Sequence, residues 1–286
     1  IRDRDDLAAV RKLRFANDVL GLTPARGPAE MAIARLGAQL FTRVVPPGAT
    51  VNLGVGYGEE LVRVLCEQGL HRQVTFTTET GVYGGVPAPG IYFGSAVFPQ
   101  RLESSAWMFH HYRDHLDTTV LGFLEVDSRG NVNGSDRSGK IPDLVGPGGM
   151  PSIVASARTI IFIGAWMQGA RWKVQQDRIS LHQPGAAKFV DRVRSVTFDG
   201  HTALEDGKQV FYVTHVGVFR LSAEGLVLMA VMPGIDIEEH IMQGCTARIV
   251  LPPDGVVERI SSAVLTGKNF FLDWQQQPTG RPGDQQ

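Results

Sequence analysis

The chain has 286 residues, of which 43% are hydrophobic and 20% are charged, a composition typical of a globular protein with a sizeable core. Its 28 Lys and Arg residues nearly balance 29 Asp and Glu residues, which argues against the basic surface that nucleic-acid binding requires. Two cysteines without a CxxC pair exclude a disulfide framework and predict a reducing cytoplasmic location, and no apolar run approaches the roughly 20 residues that span a bilayer.

The first part of the chain predicts alternating helices and strands. Residues 1–27 are charged and then loop-like, and we expect an arm or short helix that packs on another element. PAEMAIARLGAQLF, which begins at Pro28, has apolar residues at near-helical spacing and a proline in its first turn, so it favours a helix. A strand over 50–55, a glycine turn, a helix over 59–68 and a strand over 74–79 follow. This order indicates a parallel or mixed sheet covered by helices.

The later segments continue the pattern. TTVLGFLEVD (118–127) and TIIFIGAW (159–166) are predicted strands, and VGVFRLSAEGLVLMAV (216–231) is a predicted hairpin around a Ser-Ala-Glu-Gly turn. The tail is rich in Gly, Pro and Gln and is predicted to be disordered. We therefore divide the chain into an arm (1–27), a main domain (28–274) and a tail (275–286).

A glycine-rich turn between a strand and a helix suggests a dinucleotide fingerprint. Gly54, Gly56 and Gly58 form this turn, but the third glycine is not at the offset that the fingerprint requires. A tight strand-to-helix turn explains these glycines about as well. The sequence therefore gives only weak support for a nicotinamide-type site.

A histidine cluster suggests a metal site. On a helix, His111 and His115 would share one face, as paired metal ligands do. The cluster lacks the glutamate of an HExxH motif, however, and Arg113 within it would repel a cation. We interpret the cluster as a solvated or substrate-facing loop and predict no metal.

The stretch TFTTETGVYGGVPAPG places Glu79 at the end of a predicted strand and follows it with four glycines and two prolines. An exposed loop glutamate among turn glycines is one explanation. The alternative is a nucleophile, because a carboxylate that is held rigidly and partly desolvated can form an acyl anhydride and then a thioester. Gly84 and Gly85 would let a substrate approach the backbone, and the N–H groups of a second loop, VGPGGM (145–150), could bind an oxyanion.

These residues also carry a family resemblance. TETGVYGGVPAPGIYFG resembles the active-site segment of the class I coenzyme A transferases, particularly the propionate and acetate CoA-transferase branch. VNLGVG before it, and FLEVDSRGNVN, VGPGGM, IIFIGAW, KFVDRVRSVTFDG and VFRLSAEGLVLMAVMPGID after it, occur in the family's order over residues 30–245. The resemblance implies a NagB/RpiA-like α/β fold with a mixed, mostly parallel sheet covered by helices.

The resemblance also implies a reaction and a set of site residues. Glu79 would attack an acyl-CoA thioester in a ping-pong transfer of coenzyme A between carboxylic acids, through a glutamyl-CoA intermediate and without a metal. The backbone of Gly148 and Gly149 would form part of the oxyanion hole. Asn131 would support the acyl site, and Lys188 is either a CoA contact or a surface lysine. The expected lining of the pantetheine channel is Gly84, Gly85, Val86 and Gly90.

Two departures from the family pattern matter. The chain resembles only the glutamate-bearing half, so we expect an α-type partner, either a separate chain or a cleaved amino-terminal half. Where relatives have a DGGGLD segment beside the acyl pocket, this chain has residues 112–117, and Arg113 there could pair with a second carboxylate on the substrate. Two alternatives therefore stay open: a hydrolase or C–C bond-cleaving enzyme that uses Glu79 as general base, and a non-catalytic subunit that binds CoA esters.

Overall fold

The computed structural model describes residues 6–21, 23 and 25–274. The helices are α1 (Asp6–Leu20), α2 (Pro28–Val44), α3 (Tyr57–Glu67), α4 (Ser105–His115), α5 (Met150–Ser156), α6 (Gly200–Glu205) and α7 (Ala263–Thr266). The strands are β1 (Thr50–Leu53), β2 (Thr75–Thr77), β3 (Val82–Tyr83), β4 (Val86–Pro87), β5 (Ala96–Val97), β6 (Arg101–Leu102), β7 (Thr118–Leu121), β8 (Glu125–Asp127), β9 (Val132–Asn133), β10 (Thr159–Ile163), β11 (Met167–Gln168), β12 (Arg171–Gln175), β13 (Arg178–Gln183), β14 (Ala186–Ala187), β15 (Phe189–Val190), β16 (Gln209–Val213), β17 (Gly217–Ser222), β18 (Gly225–Val231), β19 (Ile249–Val250) and β20 (Glu258–Arg259).

One large sheet organises the described residues. Its eleven strands run in the order β19-β18-β17-β16-β10-β7-β1-β2-β3-β6, with β20 also paired to β18. The central strands β2, β1, β7, β10 and β16 are parallel, and β17, β18, β3 and β6 add antiparallel pairs on either side. The predicted mixed, mostly parallel α/β sheet is therefore confirmed.

Helices cover both faces of the parallel centre. All five residues of β10 are buried, as expected for a strand with packing on both sides. The chain moves from β1 to β2 in one direction and then from β2 to β7, β10 and β16 in the other, so right-handed crossovers place α3 on one face and α4, α5 and α6 on the opposite face. Helix α2 packs on α3. The carboxyl ends of the parallel strands thus share one edge, where loops can meet.

Two predictions about local structure were wrong. The segment 118–127 contains two strands, β7 and β8, separated by residues 122–124, and β8 pairs with β9 outside the large sheet. The histidine cluster lies in helix α4 and not in a loop. Ser104 caps this helix by accepting a hydrogen bond from the Trp107 backbone N–H at 3.1 Å. Trp107, His111 and His115 then stack along one helix face at four-residue spacing, which a loop could not produce.

The hairpin prediction is confirmed, with β17 and β18 antiparallel and Ser222 paired with Gly225. In its described part, the predicted arm is helix α1, which packs on the main domain. Arg14 of this helix forms a partly buried ion pair with Glu60 of α3 at 2.7 Å. The predicted disordered tail lies outside the described residues. Over the described part of the chain, no helix combines the length and apolar character that crossing a bilayer would need.

Candidate active site

Glu79 lies two residues beyond the end of β2, at the carboxyl edge of the parallel strands. It is half-buried and sits in a tight turn, in which the Gly81 N–H donates to the Thr78 carbonyl and the Thr78 N–H donates to the Val82 carbonyl. Gly81 has φ +122°, and a Cβ there would collide with the Glu103 carbonyl oxygen, so only glycine fits. The turn therefore fixes the glutamate backbone where the sheet ends.

A buried hydrogen-bond network reaches the Glu79 carboxylate. Asn52 of β1 donates from Nδ2 to Glu79 Oε2 at 3.4 Å and to the Tyr112 hydroxyl at 3.1 Å. The Thr119 hydroxyl donates to Asn52 Oδ1 at 3.0 Å, and the Tyr112 hydroxyl donates to Thr77 Oγ1 at 2.9 Å. Asn52, Thr77, Thr119 and Tyr112 are all fully buried. Polar groups that are buried and mutually satisfied give the carboxylate a rigid support.

Neighbouring strands and one helix bring these groups together. Asn52 is in register with Thr77 on one side and with Thr119 on the other, so the three polar side chains stand at one level of the sheet. Tyr112 reaches this level from the last turn of α4. Burial raises the pKa of Tyr112 to about 12, and the nearby Glu79 charge acts in the same direction, so the phenol stays protonated.

The sequence reasoning missed Asn52 and its supports. VNLGVG was recognised only as a family motif, although it places an amide in a strand whose neighbours are apolar. A polar side chain in a buried strand needs a partner, which is the signal that could have identified it. The two threonines could not have been found in this way, because threonine is common in strands that have no function.

The glycine loop after Glu79 has a structural explanation of its own. At Gly84 a Cβ would lie 2.6 Å from Gln100 side-chain atoms, and at Gly85 it would lie 2.5 Å from the Val97 carbonyl oxygen. Both glycines also have positive φ. The fold itself therefore requires them, without any approach by a substrate. Val86, expected in the pantetheine channel, is only 2% exposed and belongs to the hydrophobic core.

The far end of this loop is anchored by two side chains that the sequence did not single out. Glu59 Oε2 accepts a hydrogen bond from the Gly90 N–H at 2.6 Å, and Asn17 Oδ1 of α1 accepts one from the Ile91 N–H at 3.2 Å. The other Glu59 oxygen accepts the Gly56 N–H at 2.8 Å. Burial raises the Glu59 pKa, and its hydrogen bonds from backbone N–H groups oppose that shift.

Glu59 also affects the interpretation of Gly54, Gly56 and Gly58 as a dinucleotide motif. Its carboxylate occupies the amino end of α3, where the phosphate of a dinucleotide would bind. The Gly54 to Gly58 turn thus has its own internal anion. For the metal alternative, the described residues contain no group of three or more His, Cys, Asp or Glu side chains suited to hold an ion.

Gly148 and Gly149 end an exposed loop that leads into α5. Gly148 has φ +55° with open space around it, whereas a Cβ at Gly149 would lie 2.6 Å from Phe109 of α4. The Phe109 ring in turn meets the Tyr112 ring edge-on, with centroids 6.3 Å apart, which links this loop to the Glu79 network. Among the described residues, neither glycine N–H has a hydrogen-bond acceptor.

Asn131 forms hydrogen bonds that stabilise the fold. Its side-chain amide donates to Asp127 at 3.1 Å, its carbonyl oxygen accepts the Gly200 N–H at 2.9 Å, and its backbone N–H donates to Asp127. These bonds hold the β8–β9 turn against α6. These bonds give Asn131 a structural role, and its expected role at the acyl site stays a prediction.

Lys188 and His215 form a second group at the carboxyl edge of the sheet. Lys188 Nζ donates to the Phe123 carbonyl at 2.6 Å and lies 4.2 Å from the centre of the Phe123 ring. Burial lowers the Lys188 pKa to about 8 and, with the nearby lysine charge, lowers the His215 pKa to about 3. His215 stacks on Trp172 with centroids 4.9 Å apart. The surface-lysine interpretation is wrong, because Lys188 is partly buried and bonded.

Arg113 is not brought to Glu79. It is exposed in the last turn of α4, near the amino end of β7, and Glu79 follows the carboxyl end of the parallel strand β2. Its guanidinium lies 3.5 Å from His110 Nδ1. The residue that this segment contributes to the site is Tyr112, its buried neighbour.

No family model matches the chain. Over 210 residues it is 34% identical to acetate CoA-transferase YdiF of Escherichia coli, covering 72% of this chain and 39% of YdiF. The YdiF apoenzyme structure superposes with a TM-score of 0.72 at 28% identity, covering 81% of this chain and 44% of YdiF. The chain belongs to the class I coenzyme A transferase family.

Other relatives agree on the family or on the fold. Caffeate CoA-transferase of Acetobacterium woodii is 31% identical over 237 residues, covering 82% of this chain and 44% of that enzyme. The decarboxylase AibA/AibB has a TM-score of 0.59 at 17% identity, covering 85% of this chain and 96% of the matched chain, and this likeness shows the fold alone. The chain spans about two fifths of the length of the curated relatives that it matches.

Proposed function

We propose that this chain is the glutamate-bearing part of a CoA-transferase that moves coenzyme A between an acyl-CoA and a carboxylic acid. The observation that carries the proposal is the Glu79 carboxylate, half-buried at the carboxyl edge of the sheet and hydrogen-bonded by Asn52. The curated relatives are named as CoA-transferases, and YdiF has been solved as a thioester complex with CoA. Coenzyme A enters as a thioester substrate, and the proposed chemistry needs no metal.

The proposed reaction uses Glu79 as a nucleophile. One carboxylate oxygen attacks the acyl-CoA carbonyl carbon, the C–S bond breaks, and an acyl-glutamyl anhydride and CoA thiolate result. The thiolate then attacks the glutamyl carbonyl of the anhydride, which releases the first carboxylate and leaves a glutamyl-CoA thioester. An acceptor carboxylate runs the two steps in reverse. Each proposed step passes through a tetrahedral oxyanion, which needs hydrogen-bond donors.

Gly148 and Gly149 are the donors that we assign to this oxyanion. Their N–H groups lack acceptors among the described residues, and Gly149 packs on Phe109, which contacts Tyr112 of the glutamate network. Gly90, whose N–H is held by Glu59, remains our candidate for the pantetheine channel, and Lys188 remains a candidate CoA contact.

We further propose an α-type partner. The curated relatives are more than twice as long as the matched part of this chain, so they contain a region that has no counterpart here. The loop that carries Gly148 also exposes Ile141, Leu144 and Val145, the first of them by 85%. Apolar side chains beside a catalytic loop suit a surface that a second half covers.

Covalent trapping tests the proposal. The chain and its partner half would be incubated with acetyl-CoA and then treated with borohydride or hydroxylamine, and peptides would be examined by mass spectrometry. We expect modification confined to Glu79. Acyl-CoA turnover with no adduct and no acceptor acid would instead support a hydrolase or C–C bond-cleaving enzyme. The absence of both turnover and adduct would support a subunit that only binds CoA esters.

A further inference from the structure

The hydrogen bond from Asn52 to the Glu79 carboxylate depends on a tyrosine that contacts no substrate in the proposed reaction. We infer that Tyr112 is a positioning residue, which acts on Glu79 by fixing the direction in which the Asn52 amide points. The inference rests on the proposed function of Glu79 as nucleophile. It concerns the last turn of α4, from which Tyr112 reaches the buried level of the sheet.

The donors and acceptors around Tyr112 form one consistent chain. The Thr77 hydroxyl donates to the Val51 carbonyl at 3.0 Å, so Thr77 can only accept from Tyr112. Having given its hydrogen to Thr77, the Tyr112 hydroxyl can only accept from Asn52 Nδ2. One Asn52 hydrogen is thereby held by Tyr112, and the second is left for Glu79 Oε2.

The opposite end of the Asn52 side chain is held as well. The Thr119 hydroxyl donates to Oδ1 at 3.0 Å, so the carbonyl oxygen points away from the carboxylate. A reversed amide would turn that oxygen toward Glu79, where two acceptors would face each other. The geometry leaves one Glu79 oxygen bonded to Asn52 and the other available for attack.

Removal of the hydroxyl tests this arrangement. In Tyr112→Phe, the Asn52 side chain loses one of its three hydrogen bonds. We therefore expect the rate constant of adduct formation on Glu79 to fall about tenfold, with little change in KM for acyl-CoA. Tyr212→Phe is the matched control. Tyr212 is also fully buried, but its hydroxyl donates to the Gly130 carbonyl at 2.5 Å in another part of the fold. It should lose stability without this kinetic effect.

A pair of variants covers the case in which Tyr112→Phe does not fold. Thr119→Val removes the hydroxyl that holds Asn52 Oδ1, and Thr119→Ser keeps it. We expect the valine variant to lose several-fold more of the rate of adduct formation than the serine variant. Equal losses would mean that packing, and not the hydroxyl, is what matters, and the inference would be overturned.

A labelling readout on the chain alone separates this inference from the proposed function. Glu79 would be modified with a water-soluble carbodiimide and quantified by peptide mass spectrometry. A weakened Asn52 hydrogen bond should raise the Glu79 labelling rate a few-fold in Tyr112→Phe but not in Tyr212→Phe. If the wild type forms no CoA adduct but labelling still differs, only the proposed function fails. If labelling and adduct formation match the wild type, only the positioning role fails.

Discussion

The two loops that supply the groups of the proposed reaction are held very differently. Glu79 sits in a closed turn, and buried Asn52, Tyr112 and Thr119 support its carboxylate from within this chain. Gly148 lies in an exposed loop with nothing within 4 Å of the position of a Cβ. The proposed nucleophile is therefore preorganised by the chain itself, whereas the loop of the proposed oxyanion donors is exposed to solvent. This contrast is what a site completed by a second half would show.

The largest effect should come from the nucleophile itself. Glu79→Gln should abolish adduct formation and CoA transfer, because an amide cannot form the anhydride. Glu79→Asp should lose about 10²-fold in kcat, since the carboxylate retreats by roughly 1 Å. Both are measured by CoA exchange between acids. Glu103→Gln, a change in the neighbouring segment, is the control, and a transferase that survives Glu79→Gln would refute the nucleophile assignment.

Substitutions in the exposed loop that carries Gly148 and Gly149 should have the next largest effect on kcat. Gly149→Ala places a Cβ 2.6 Å from the Phe109 ring, which must displace the loop, and we expect about a 10–100-fold loss of kcat through a misplaced oxyanion donor. Gly148→Ala meets no atom and suffers only the strain of a positive φ, so its loss should be smaller. Steady-state kinetics with the partner half present would rank the two. The reverse order would contradict our placement of the donors.

Acid should destabilise the folded chain through His215. The pKa of this buried histidine is lowered to about 3 in the folded chain, so the unfolded state binds more protons between pH 3 and 6.5. Its contribution to stability is complete above pH 6.5 and is lost as the pH falls toward 3, by an amount on the order of a few kcal/mol.

Denaturant titrations at several pH values would measure this dependence. His215→Gln should flatten it. His201, which is exposed and pairs with Glu205, provides the control, because His201→Gln should leave the slope unchanged. A wild-type slope that persists in His215→Gln would show that another group is responsible.

The smallest effect should come from the α1 anchor of the glycine loop. Asn17→Ala removes the acceptor of the Ile91 N–H, and we expect KM for acyl-CoA to rise about threefold with little change in kcat. Asp18→Ala, one residue along the same helix, is the matched control. An unchanged KM would mean that Glu59 alone is enough to hold Gly90.

Much of the fold could be predicted because it depends on local patterns. The spacing of apolar residues after Pro28, the β17–β18 hairpin and the order of strands and helices all follow from periodicity and turn residues. The helix over the histidine cluster was missed because its polar residues obscured the helical pattern, and its two fully buried side chains, Met108 and Tyr112, are far fewer than those of α2. The break at residues 122–124 was missed because the apolar side chains of Phe123 and Leu124 continue the strand-like pattern from β7.

The sequence by itself determined the family and the fold class and led to the proposal for Glu79, because these depend on motifs that are contiguous along the chain. Only the tertiary structure decided what holds the glutamate. Asn52, Thr77, Tyr112 and Thr119 are far apart in sequence and meet through the register of parallel strands and the position of one helix. It also decided that Val86 and Asn131 serve the fold, since burial and hydrogen-bond partners arise only when distant segments pack together.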